Sequence, residues 1–62
     1  MPKIYCYTNE QKTEKKYFVK CDNNIVTSKD ELNAYEGEQK ECTTIANILN
    51  VINSYNNWKV QP

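Results

Sequence analysis

The chain has 62 residues, 39% of them hydrophobic and 26% charged, with eight lysines against eight acids and neither arginine nor histidine. Zero net charge excludes whole-molecule attraction to nucleic acid or anionic membranes, and the lack of histidine removes the commonest acid–base catalyst and a frequent zinc ligand. A chain this short forms one domain, 1–62, and buries only about 60% of the surface it exposes when unfolded, so a second subunit is the expected supplement to its stability.

The segments "KIYCYT" (3–8) and "KYFVKC" (16–21) are β-branched and aromatic, and they flank the polar "NEQKTEK". They predict an antiparallel hairpin. A turn centred on Gln11 and Lys12 sets Cys6 opposite Tyr17 and Ile4 opposite Val19. Ile4, Cys6, Tyr17, Val19 and Cys21 then form the core face, and Lys3, Tyr5, Tyr7, Lys16, Phe18 and Lys20 the other. "CDNN" (21–24) reverses the chain into a short third strand or an extended linker over 25–27.

"SKDE" (28–31) fits a capping box, with the Ser28 hydroxyl as cap and Glu31 reaching back. It opens a short helix with Leu32 and Tyr35 inward, ending at Gly37, the single glycine, in a left-handed cap. A long helix follows over 39–55. On a helical wheel Ile45, Ile48, Leu49 and Ile52 form its core stripe, with Cys42 on one edge and Val51 and Tyr55 on the other. Thr43, Asn47, Asn50, Asn53 and Ser54 take the opposite face. Asn56 and Asn57 turn the chain into a last strand with Trp58 and Val60 on one side. The expected fold is α+β: a small antiparallel sheet, made of the hairpin plus one or two short strands, with a short and a long helix packed on one face.

Cys6, Cys21 and Cys42 are odd in number and lack C-x-x-C spacing, so buried, reduced thiols are expected rather than a disulfide or a metal centre. The carboxylate pairs Asp30/Glu31 and Glu36/Glu38 sit in a chain too small to shelter a cleft. Neither an enzyme nor a cofactor is expected. No run approaches the roughly 20 apolar residues of a membrane span, and the first residues lack a signal-like apolar stretch, so the expected location is cytoplasmic, with no membrane partner.

Three surfaces are candidates for function. The stretch 22–41 holds six acids against Lys29 and Lys40, and Asp30, Glu31, Glu36, Glu38 and Glu41 form a patch that can imitate nucleic-acid phosphates on a basic partner. The stretch 42–57 has no charged side chain at all. Interfaces deplete charge, so Asn47, Asn50, Val51, Ser54 and Tyr55 are the expected dimer or partner interface. The hairpin face with Tyr5, Tyr7, Lys16, Phe18 and Lys20 is the alternative. Aromatic platforms among cations bind single-stranded nucleic acid, although a chain without arginine lacks the preferred phosphate fork.

Small size, Asn- and Lys-rich composition suggestive of AT-rich coding, and absent catalytic residues together resemble the small accessory proteins of bacteriophages and mobile elements. Many of these bind and inhibit a host or defence protein. The resemblance is one of style and assigns no residue a role. It implies a homodimeric protein-binding inhibitor or regulator, anti-defence in kind, that occludes a host or defence protein. A single-strand nucleic-acid-binding module is the alternative.

Overall fold

β-branched and aromatic residues build three consecutive strands, β1 (Lys3–Tyr7), β2 (Lys15–Asp22) and β3 (Asn24–Ser28). A 3-10 turn (Glu31–Asn33), the helix α1 (Gln39–Ile52) and β4 (Lys59–Gln61) follow. These elements come from a computed structural model that describes residues 1–52 and 57–62. The sheet order is β3-β2-β1-β4, antiparallel throughout, so β4 returns beside β1 and closes a two-layer α+β domain with α1 on one face. The short helix reduces to that single 3-10 turn, which buries none of its residues.

The hairpin register differs from expectation by one residue. Tyr5 pairs with Tyr17 and Cys6 with Lys16. The cause is the connection between the strands. Thr8 donates its N–H to the Glu14 carbonyl (2.9 Å), and the Asn9 Oδ1 accepts from the backbone N–H groups of Thr13 (3.1 Å) and Glu14 (3.3 Å). This side-chain-built loop has odd length, with Lys12 at φ 58°. A one-residue slip moves every side chain of a strand to the other face. Phe18 therefore joins Ile4 and Cys6 in the core, while Tyr17 turns to the outer face beside Tyr5. Val19 forms a bulge between Phe18, which pairs with Thr27, and Lys20, which pairs with Val26. The bulge restores Ile25 to the core side and leaves Cys21 exposed at the strand end.

The core holds Ile4, Cys6, Phe18, Cys42, Ala46, Leu49 and Trp58. Trp58 and Val60 share the inward side of the β4 segment, as expected, with Val60 paired to Ile4. Helix α1 meets the sheet through Cys42, Ala46 and Leu49, a stripe rotated from the one the wheel predicts. Ile45 is half-buried, and Ile48 and Ile52 are exposed. Two contacts hold this rotation. The Cys42 thiol donates to the Pro2 carbonyl (3.6 Å), and the Asn50 amide brackets the Trp58 backbone, accepting from its N–H (2.6 Å) and donating to its carbonyl (3.1 Å).

The segment before α1 also departs from expectation. Asp30, not Ser28, caps the 3-10 turn by accepting from the Leu32 N–H (3.0 Å), and Ser28 accepts from the Asp30 N–H (3.0 Å). Leu32 is 89% exposed. Tyr35 does pack inward, edge-on to Phe18 at 6.1 Å, with its N–H donated to the Phe18 carbonyl (2.8 Å). Gly37 has no positive φ. Its role is close approach: a Cβ there would lie 2.8 Å from the Tyr35 hydroxyl.

Candidate functional site

The outer face of α1 is the most unusual surface. Ile48 is 54% exposed, Val51 86% and Ile52 66%. The half-buried Ile45 lies one turn before Ile48, and Asn47 stands beside them in solvent. Charge is absent from the helix beyond Glu41. Thr43 and Thr44 turn their hydroxyls back onto the carbonyls of Gln39 (2.8 Å) and Lys40 (3.0 Å), so they too leave the surface uncharged. A shallow hollow of about 330 Å³ lined by Lys40, Glu41, Thr44 and Ile45 lies toward the start of the helix. Of the expected interface residues, Asn47 and Val51 are exposed here, whereas Asn50 turns inward to hold Trp58. Ser54 and Tyr55 lie outside the described residues. Ile48 and Ile52, assigned by periodicity to the core, are the residues that sequence reasoning missed. Cys42 and Ala46, weaker hydrophobes than isoleucine, take their place.

The acidic residues are partly gathered. Lys3 reaches both Glu31 and Glu36, each at 3.6 Å, so these two carboxylates share one ammonium. Glu31 also accepts from the Tyr17 hydroxyl (3.0 Å) and the Gln61 amide (3.1 Å). Those bonds, Gln61's foremost and then Tyr17's, together with Lys3, hold its carboxyl below the usual range. Glu31 thus ties the 3-10 turn to β1, β2 and β4. Glu41 accepts from the Tyr35 hydroxyl (3.0 Å), which pushes that phenol up, and Asp30 serves as the cap. Glu36 and Glu38 are exposed on either side of Gly37.

On the outer sheet face the aromatic set is Tyr5, Tyr7 and Tyr17. Tyr5 meets Tyr7 edge-on at 5.6 Å and Tyr17 at 6.4 Å. Lys15 lies 4.5 Å over the Tyr5 ring and 5.8 Å from that of Tyr7. Tyr17 is only 6% exposed. Of the expected nucleic-acid face, Tyr5, Tyr7 and Lys20 are on this side. Phe18 is in the core, and Lys16 lies on the core side, its ammonium 5.7 Å over the Trp58 ring. With Tyr17 covered and Lys15 already seated on Tyr5, little aromatic surface is left for base stacking.

At the loop end of the sheet lies a cavity of about 440 Å³, lined among the described residues by Lys12, Lys16, Lys59 and Glu10 together with Tyr7, Thr8, Asn9 and Asn57. The thiols differ in setting. Cys6 and Cys42 are fully buried and pushed up by that burial, so neither is a ready nucleophile, and the exposed Cys21 corrects the expectation that all three are buried. Among the described residues no helix is long and apolar enough to cross a membrane, and no three His, Cys, Asp or Glu side chains are grouped to hold a metal ion. No family model, curated protein or solved structure matches this chain.

Proposed function

We propose that this chain is a protein-binding regulator or inhibitor that dimerises through the outer face of α1 and presents the acidic segment 30–41 to its target. The observation that carries the reading is the exposure of Ile48, Val51 and Ile52 on a helix face without charge. Burying apolar surface is worth about 25 cal/mol per Å², and a 62-residue domain has little core of its own to set against the entropy of folding. A second copy suits the face because a two-fold axis brings each residue near its own equivalents, and uncharged side chains there meet without repulsion.

Occlusion of a basic protein surface by Glu36 and Glu38 is the matching mode of inhibition, since both are exposed and flank the buried Gly37. A host or defence protein with a nucleic-acid-binding groove is the class of target. The test is affinity capture with three baits: the native chain, a Glu36→Lys/Glu38→Lys variant and a Val51→Lys variant, each confirmed folded by circular dichroism. A basic protein captured by the native chain and lost with the charge-reversed bait supports the reading. Identical captures by all three baits overturn it.

A further inference from the structure

We propose that the cavity at the loop end of the sheet binds a terminal phosphate, as carried by a nucleotide or by the 5′ end of an oligonucleotide. Lys12, Lys16 and Lys59 line it and come from three separate elements: the β1–β2 loop, β2 and β4. Glu10 is the one acid among its described lining residues, and the Glu14 carboxylate stands 3.5 Å from the Thr8 hydroxyl, so the three lysines outnumber the carboxylates near them. Among the described residues the only lysine–carboxylate pairs are those of Lys3, which lies at the other end of β1. The four residues outside the description, 53–56, include no acid that could neutralise the site. Clustered cations in excess of their counter-charge repel one another, and a dianion removes that repulsion. A surplus of positive charge matches a phosphate monoester better than it matches a neutral ligand.

The walls are organised without a ligand. Asn9 holds the loop through its bonds to Thr13 and Glu14, and its amide donates to the Thr13 hydroxyl (2.6 Å). Lys12 adopts φ 58° and Asn57 φ 52°, the left-handed region that non-glycine residues enter at a cost. Lys16 is steadied over the Trp58 ring. The volume, about 440 Å³, falls in the range of small-molecule pockets and exceeds what inorganic phosphate needs, leaving room for the sugar or base that carries the phosphate. Lysine is an effective phosphate binder as a point charge, so the absence of arginine does not weigh against this site.

The experiment is isothermal titration at low salt with adenosine 5′-diphosphate, a 5′-phosphorylated oligothymidylate and its unphosphorylated twin. Trp58 emission gives an independent readout for the oligonucleotides, because the Lys16 ammonium over its ring responds to a bound anion. Binding of the diphosphate alone identifies a free nucleotide, and binding of the phosphorylated oligonucleotide identifies a strand end. Either supports the site if Lys16→Gln or the more exposed Lys59→Gln weakens it about tenfold. Lys20→Gln, which removes the same charge outside the cavity, should change affinity less than about twofold. No heat from either phosphate ligand at millimolar concentration overturns the proposal. So does equal binding of both oligonucleotides, or equal losses in Lys20→Gln and the cavity variants.

Discussion

Asn50 holds both backbone groups of Trp58 with one side chain, and so joins the end of α1 to the start of the β4 segment. Replacing it by alanine leaves an N–H and a carbonyl beside a buried indole without partners. Asn50→Ala should cost about 1–3 kcal/mol in urea denaturation, whereas Asn47→Ala, exposed on the same helix, should change stability by less than about 0.5 kcal/mol. Glu31 gives a pH signature. Its carboxyl is held below its ordinary value in the folded chain, so the stability it contributes is present above the unfolded value near 4.5 and is lost as pH falls through the folded value. Glu31→Gln should therefore lose less stability than the native chain between about pH 7 and pH 3, read as the shift in urea midpoint. Thiol labelling adds a third residue-level test: Cys21 reacts at once, while Cys6 and Cys42 react only on unfolding.

Among the elements, strand positions were legible from β-branched and aromatic runs, and α1 from its apolar spacing. Two details were not. The register depends on Asn9, whose side chain closes an odd-length loop, and alternation in "KYFVK" fits either face equally well. The rotation of α1 depends on Asn50 reaching Trp58 and Cys42 reaching Pro2, contacts that periodicity does not encode. The consequence for the sites was direct, since Phe18 left the candidate nucleic-acid face and Ile48 and Ile52 joined the exposed one. With Phe18 in the core, Phe18→Ala should cost about 3–5 kcal/mol, and Tyr5→Ala, on the half-exposed outer face, clearly less. Equal losses in thermal or urea unfolding would contradict the observed register. Gly37→Ala forces the Tyr35 ring away from Glu41 and Phe18, and should lower stability by about 1–3 kcal/mol.

Across the whole molecule, zero net charge conceals separated surfaces: an acidic loop around Gly37, a lysine-lined cavity at the far end of β1, and an uncharged helix face. Lys3 pairs with both Glu31 and Glu36, but Glu31 is further tied down by Tyr17 and Gln61, so Glu36 and Glu38 rather than Glu31 are the carboxylates a partner would meet. Reversing either should weaken target binding by more than the roughly 1 kcal/mol of an exposed ion pair, with the loss shrinking at high salt. The central claim concerns α1, and sedimentation equilibrium at micromolar concentration tests it most directly. The native chain should sediment at about twice its 7.3 kDa mass, and Val51→Lys, folded but charged at the centre of the face, at 7.3 kDa. A native chain that stays monomeric across that range would contradict the account.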